Sequence, residues 1–400
     1  MAATINTNVP SLNAQRNLTT SASSLATTMQ RLSSGLRVNS AKDDAAGLAI
    51  SERMNTQVRG LTVASRNAND GISLAQTAEG ALGKLGDMLQ RMRELAVQAG
   101  NATNSTGDRT ALQAEVQQLR DEIDRVAKQT TFNNQKILDG SFAGAVFQIG
   151  ANSGDTVSVG ALTNATASGL SSIKYTSDTT TNTGIGASDV TTLTSIATGT
   201  LTISITGGSE YDLGVIAAAT TGDERLGQIV EAINRKTPDT GVTAYMTKGT
   251  DGKYTVEIYS SALDTDGAGA VAVLSAGFTT ATTGVAGLST TTQSAQGIDT
   301  LTVSTQGNAW LALKKVDSAI DQVNVSRGLL GAMQSRFESA VSNIDIQVEN
   351  LAAARGRIVD ADFAKETANL SRTQILQQAG MAMVAQANQI PQGVLALLRQ

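Results

Sequence analysis

The sequence predicts a mainly α-helical protein with long antiparallel coiled-coil helices built from both chain ends, a small β-hairpin region and a central β-rich α+β insertion domain. Apolar residues at both ends alternate in steps of three and four, the spacing that keeps one helix seam facing a partner. The composition changes to Thr, Ser, Gly and Ala between residues 150 and 305 and then reverts. The chain has only 6 Phe, 5 Tyr and 1 Trp, so an aliphatic core is expected.

The two longest apolar stripes lie at residues 61–99 and 313–351. Each predicts a helix about 58 Å long, too long to bury its seam against itself. A turn at residues 100–109, with Asp108 as the expected N-cap, sends a third helix (residues 110–128) back along the first. The helix at 313–351 is expected to lie antiparallel to 61–99. The seam residues of the two long helices are then Leu82, Leu85, Leu89, Leu330, Phe337, Val341 and Ile344.

Shorter stripes predict one more helix in each terminal segment. The N-terminal stripe is Leu18, Ala22, Leu25, Met29, Leu32 and Leu36, and the C-terminal stripe is Leu376, Ala379, Met383, Ala387, Ile390, Val394 and Leu397. Residues 1–42 carry four basic side chains and no acid. Because such a helix is marginal in water by itself, the N-terminal segment is either a loosely attached tail or one that folds when many copies pack together.

Short strands are predicted between the helical ends. Residues 131–139 and 146–159 indicate strands and turns. In the centre, residues 201–205 and 253–259 alternate in polarity as strands do, and residues 223–236 predict a short helix between them. The helical region is therefore discontinuous in sequence, with the centre as an insertion.

The composition excludes several kinds of active site and partner. The chain contains no Cys and no His, which excludes disulfides, Cys/His zinc sites and Ser-His-Asp or Cys-His catalysis. The net charge of −5 offers no basic footprint for nucleic acid. Neither a signal-peptide pattern nor an apolar run of about 18 residues is present. We therefore expect no enzyme, no cofactor, no metal and no membrane association, and by these rules alone a cytoplasmic location.

Several long motifs resemble those of bacterial flagellins. They are INTNVPSLNAQRNL (residues 5–18), RLSSGLRVNSAKDDAAG (31–47), LQRMRELAVQ (89–98), IDRVAKQTTF (123–132), SRTQILQQAG (371–380) and AQANQIPQGVLALLR (385–399). The similarity covers about residues 1–160 and 305–400. The centre is similar only in its strand–helix–strand pattern.

The resemblance implies a structural subunit that self-assembles into the bacterial flagellar filament for swimming motility. It implies an inner terminal coiled-coil domain (residues 1–44 and 356–400), a long-helix domain (45–165 and 303–355) and an outer, variable β-rich domain (166–302). It also implies export through the flagellar type III apparatus, and so a secreted, extracellular location in place of the cytoplasmic one. The implied partners are further copies of the chain, the flagellar export chaperone, the filament cap and hook-junction proteins, and the flagellin-sensing Toll-like receptor.

Two other assignments remain open on the sequence. A hook–filament junction protein or another flagellar axial protein would share the terminal coiled coil, although the motifs at 89–98 and 385–399 favour the filament subunit. A surface adhesin is suggested only by the Thr- and Ser-rich centre.

Two sets of site residues follow from the resemblance. The positions that contact the Toll-like receptor in other flagellins match Arg91, Leu95 and Glu115. Arg91 and Leu95 lie on a stripe beside the predicted seam, so Leu95 is expected on the surface, where it is either available to a partner or a stray apolar residue. The segment bound by the export chaperone holds the apolar residues Val394, Leu395, Leu397 and Leu398, which are also expected to pack between terminal helices.

Overall fold

The structure of the protein is a computed structural model that describes residues 7–178, 182–205, 209–249, 251–260, 272–275, 277–285 and 291–397. The chain divides into two compact units. Unit 1 comprises Met1–Asn69, Phe147–Val157 and Phe337–Gln400, and unit 2 comprises Asp70–Val146 and Ser158–Arg336. Both units are discontinuous in sequence. The three-domain division expected from the resemblance has other boundaries than these two units and stays a prediction.

Helices occupy most of both chain ends. Those of the described residues are α1 (Val9–Ser34), α2 (Ala45–Ala99), α3 (Thr106–Gln129), α4 (Gly222–Arg235), α5 (Thr237–Thr240), α6 (Thr280–Thr283), α7 (Gln306–Val359) and α8 (Phe363–Leu397). The strands are β1 (Thr131–Phe132), β2 (Gln135–Lys136), β3 (Ala145–Gln148), β4 (Thr156–Val159), β5 (Ile173–Asp178), β6 (Thr202–Ile205), β7 (Glu210–Asp212), β8 (Val242–Lys248), β9 (Tyr254–Ser260), β10 (Ala272–Leu274) and β11 (Thr291–Gln296). The mainly helical fold class is confirmed.

The predicted seams of the long helices are buried. Every position of the stripe that starts at Leu61 and ends at Ala99 is buried on α2. The expected seam residues Leu82, Leu85, Leu89, Leu330, Phe337 and Ile344 are buried, and Val341 is half-buried. The regular 3–4 alternation therefore identifies one buried side of α2 from the sequence alone.

In unit 2, α7 runs antiparallel to α2, as predicted. Arg93 Nε on α2 lies 2.7 Å from Asp317 Oδ1 on α7. Two heptads earlier on α2, Glu79 accepts a hydrogen bond from Gln334 Nε2 at 2.8 Å. A contact that lies earlier on α2 thus lies later on α7, as in an antiparallel pair.

The turn between α2 and α3 is shorter than predicted, because α3 already begins at Thr106, and its cap differs. Ser105 is the N-cap of α3: its hydroxyl accepts the Asp108 N–H at 3.2 Å, and the Asp108 carboxylate accepts the Ser105 N–H at 2.9 Å. Asp108 is therefore the third helical residue of a capping box and not the N-cap itself. Arg109 donates from Nε to the Ala99 carbonyl oxygen at 3.0 Å, which brings the start of α3 back onto the end of α2.

The β structure agrees with the sequence in its main strands. β1 and β2 form a hairpin, and β3 and β4 form a second two-stranded sheet, as expected for residues 131–159. In unit 2, a four-stranded sheet has the order β11-β5-β9-β8, and a three-stranded sheet has the order β10-β6-β7. The expected strands at 201–205 and 253–259 are β6 and β9, and the expected central helix is α4.

One aliphatic core joins the central elements of unit 2. In this core, Leu226, Ile229 and Ile233 of α4 pack against Val242 and Ala244, which both belong to β8. One side chain of α4, that of Asn234, also bonds the outer edge of β8. Asn234 exchanges two hydrogen bonds of 2.8 Å with the Ala244 backbone, so it covers an edge that would otherwise be open to another strand.

In unit 1, α1 packs along α8. The segments beside these helices also pair: Arg37 N–H donates to the Val359 carbonyl at 2.6 Å, and Ala361 N–H donates to the Gly35 carbonyl at 2.8 Å. Gly35 takes the left-handed conformation with φ of 72° at the end of α1, which a glycine adopts without a Cβ clash. Unit 1 also contains an apolar cluster of α2 and α7, formed by Leu61, Ala64, Ile344, Val348 and Leu351.

The prediction for the packed face of α1 is half right. Leu18, Leu25 and Leu32 are half-buried, whereas Met29 is exposed. Thr28 is buried instead. The face that meets α8 is thus rotated from the apolar stripe and mixes leucine with hydroxyl side chains.

The prediction for α8 is wrong over the positions whose side chains are described, except at Ala387. Leu376, Ala379 and Met383 are exposed. Glu366, Thr373 and Ala387 are buried on the side that meets α1. Of these three, Glu366 pairs with Arg31 across the contact, whereas the Thr373 hydroxyl donates to the Asn369 carbonyl of its own helix. The apolar stripe is left outside.

Candidate interaction surfaces

Arg91 and Glu115 form an exposed ion pair between α2 and α3 in unit 2. The Arg91 Nη2 atom and the Glu115 Oε1 atom are 2.8 Å apart, and their side chains are 50% and 44% exposed. Arg91 Nη1 also contacts Glu94 Oε2 at 2.9 Å. Hydrogen bonds from Arg91 to Glu94 and to Glu115 raise the pKa of its guanidinium. These two predicted site residues are therefore together on an accessible, charged surface.

Leu95 is not on that surface. Its side chain is 1% exposed, so the expectation that it projects toward a partner is wrong. Arg91 lies one turn earlier on α2 and is bonded to Glu115 of α3, so α3 covers this side of α2. The 3–4 stripe marks a single seam, whereas α2 packs against both α3 and α7, so its buried arc is wider than the stripe and includes Leu95.

Polar bonds hold α1 to α8. The Ser11 hydroxyl donates to Asn388 Oδ1 at 2.8 Å, and Asn8 Nδ2 donates to the Ala387 carbonyl at 2.8 Å. At the other end of the pair, Arg31 Nη1 lies 3.5 Å from Glu366 Oε1. Sequence reasoning did not find this contact, although the basic character of residues 1–42 points to an acidic partner such as Glu366.

Large apolar side chains remain exposed on both terminal helices. On α8, Leu376 is 49% and Met383 is 63% exposed. Among the side chains that the structure describes, the other large apolar ones exposed on α1 and α8 are Val9, Leu12, Met29, Phe363, Ile375 and Met381. We call this set the terminal apolar surface. Large apolar side chains left exposed together on one helix pair mark a candidate interaction site.

The C-terminal apolar residues fall at the limit of the described chain. Val394, Leu395 and Leu397 lie within α8. Their side chains, and all of Leu398, are outside the described residues. Their predicted role in packing and chaperone binding therefore stays a prediction.

Metal-binding and membrane-spanning features are absent from the part of the chain that the structure describes. No group of three or more Asp or Glu side chains there is arranged to hold a metal ion. In the same residues, no helix is both long enough and apolar enough to cross a membrane.

Comparison with known proteins identifies the family. The model of the bacterial flagellin N-terminal helical region matches residues 5–143, and that of the C-terminal helical region matches residues 313–398. The flagellin hook IN motif matches residues 200–262. Flagellin D of Vibrio anguillarum is 39% identical over 403 residues, and flagellin B of Vibrio cholerae is 39% identical over 408 residues. Both alignments cover 100% of this chain and 100% of the relative.

The chain belongs to the bacterial flagellin family. This flagellin is a structural subunit of the extracellular flagellar filament. Similarity to flagellins over the full chain favours the filament subunit over a hook–filament junction protein. Among solved structures, FliC from Burkholderia pseudomallei is 26% identical, with a TM-score of 0.37, and the match covers 66% of this chain and 99% of that one.

Proposed function

We propose that the terminal apolar surface of α1 and α8 is where this flagellin contacts neighbouring subunits as it polymerises. The observation that carries the proposal is the inverted packing of this helix pair. Glu366, Thr373 and Thr28 are buried between or beside the helices, whereas Leu376 and Met383 face outward. Contact with other subunits would bury the outward side chains and release the free energy of removing them from water.

The size of this contribution follows from the exposed fractions. Full burial of a Leu or Met side chain stabilises by about 1.5–3 kcal/mol. Leu376 and Met383 are roughly half exposed, so each has about 1 kcal/mol still to gain. Loss of both would raise the critical concentration for polymerisation roughly 30-fold.

Seeded polymerisation of a double variant tests the proposal. Leu376→Ser with Met383→Ser is compared with Gln378→Ser with Gln386→Ser, which changes exposed polar positions on the same helix. We expect the first pair to raise the critical concentration, measured by sedimentation after seeding, and the second pair to leave it near the wild-type value. Equal critical concentrations for the two pairs would show that the terminal apolar surface does not contribute to assembly.

We propose that the subunit reaches the filament by secretion through the flagellar type III apparatus, and that the export chaperone holds its C-terminal segment. The support is chemical. The chain has no Cys, so no disulfide obstructs its unfolding, and it has only three Pro. The apolar residues Val394, Leu395, Leu397 and Leu398 would need cover before assembly. Truncation after residue 393 is expected to abolish chaperone binding in a pull-down with the purified chaperone. Retained binding would place the chaperone site elsewhere.

We propose that Arg91, Leu95 and Glu115 form the site recognised by the flagellin-sensing Toll-like receptor. Arg91 and Glu115 support this because their exposed, paired charges offer directional hydrogen bonds to a partner. Leu95 is buried and would act indirectly, by holding the exposed residues of α2 in position.

We also propose that the subunit contacts the filament cap and hook-junction proteins, and that it catalyses no reaction.

A further inference from the structure

The first turn of α7 bonds directly to strand β9 in unit 2. Thr305 caps the helix: its hydroxyl accepts the Asn308 N–H at 3.1 Å and donates to Glu257 Oε2 on β9 at 3.0 Å. The carboxylate therefore lies at the helix N-terminus, where unpaired N–H groups and the helix dipole favour negative charge. The cap of this 54-residue helix is completed by a residue from the sheet.

An aromatic cluster reinforces the same junction. Tyr259, also on β9, is 2% exposed. Its ring centroid lies 5.7 Å from that of Trp310 on α7 and 6.3 Å from that of Tyr245 on β8. Tyr175 of β5 and Leu311 of α7 belong to the same buried cluster. Large side chains from three strands of the four-stranded sheet and from the first two turns of α7 thus share one cluster.

Gly307 provides the space for this junction. A Cβ atom added at Gly307 would overlap the Tyr259 ring and stand 2.6 Å from Glu257 Oε2. Its φ angle is not in the left-handed region, so backbone conformation does not require glycine at this position. The glycine is needed because β9 approaches the helix too closely for a side chain.

We propose that Glu257, Tyr259, Thr305, Gly307 and Trp310 form a clamp that fixes the four-stranded sheet rigidly to the start of α7. The sheet and the start of α7 then move as one rigid body, and the sheet does not change its orientation through bending of the loop that precedes Gln306. In a filament subunit, such rigidity would pass torque from the helices to the central β region. That use rests on the filament function, but the clamp itself is a property of the free subunit and is tested there.

A matched pair of glycine substitutions tests the clamp. Gly307→Ala inserts a methyl group between α7 and β9. Gly328→Ala makes the same change on the same helix at a position with nothing within 4 Å of the added Cβ. Trp310 is the only Trp of the chain, so fluorescence of free subunits reports the clamp without a label.

We expect Gly307→Ala to shift the Trp310 emission to longer wavelength and to increase its quenching by acrylamide. Amide exchange in β9 and in the first turn of α7 should be about tenfold faster, the factor for a loss of about 1.4 kcal/mol. Gly328→Ala should match the wild type in all three measurements. Equal results for the two variants would overturn the clamp.

A second pair covers the case in which Gly307→Ala does not fold. Glu257→Gln keeps an oxygen that accepts the Thr305 hydroxyl, whereas Glu257→Ala removes it. We expect faster exchange at the start of α7 for Glu257→Ala only. Free access of acrylamide to Trp310 in the wild-type subunit, or no difference between the two Glu257 variants, would refute the proposal. Neither result would bear on polymerisation.

Discussion

Leu95 gives the sharpest test of how the helices of unit 2 pack. Its side chain is 1% exposed, and its neighbours Met92, Ala96 and Ala99 on α2 are completely buried. Leu95→Ala would therefore leave a cavity among side chains that have little room to collapse. A buried Leu→Ala change costs about 2–5 kcal/mol. For a unit of this size, a middle value of about 3 kcal/mol lowers Tm by about 6–12 °C.

Val97→Ala is the matched control, because Val97 lies two residues further on α2 and is 53% exposed. We expect it to change the free energy of unfolding by no more than about 0.5 kcal/mol. Thermal unfolding of free subunits, followed by circular dichroism, compares the two variants with the wild type. Equal melting temperatures for Leu95→Ala and Val97→Ala would mean that α3 does not cover this side of α2, and that Leu95 is free to contact a receptor directly.

The remaining predictions concern the charged and capping groups. Arg91→Ala should lower activation in a receptor reporter assay while Tm stays near the wild-type value, because its pair with Glu115 is exposed to water. Ser105→Ala should cost about 1 kcal/mol in urea denaturation, since the Asp108 N–H loses its capping partner. Burial raises the pKa of Glu257 above its ordinary 4.5. The Glu257 carboxyl therefore takes up its proton at a higher pH in the folded state than in the unfolded state. As a result, the free energy of unfolding increases as the pH falls from about 7 toward 4.5. Glu257→Gln should remove that gain from urea titrations at the two ends of this range, and an unchanged pH dependence would argue against a buried carboxyl.

The sequence alone determined the long helices and their antiparallel course. The 3–4 alternation from Leu61 to Ala99 is unbroken, and all of its positions are buried. The turn before α3, the short strands and the helix α4 were likewise predictable from local signals. Helical period, turn residues and strand alternation are short-range properties, so they can be read without knowledge of the partner elements.

Only the tertiary structure decided which sides of the helices meet. An apolar stripe shows that a side can be buried, but it does not say whether a helix of the same chain or of another molecule buries it. Leu95 is buried because α2 packs against both α3 and α7, and the predicted stripe did not show how far around α2 this burial extends. Leu376 and Met383 are left outside because α1 and α8 join through Glu366 and other polar groups. The contact of Glu257 with Thr305 joins residues 48 positions apart, and no local pattern predicts such a pair, because its geometry exists only after the sheet has packed on α7.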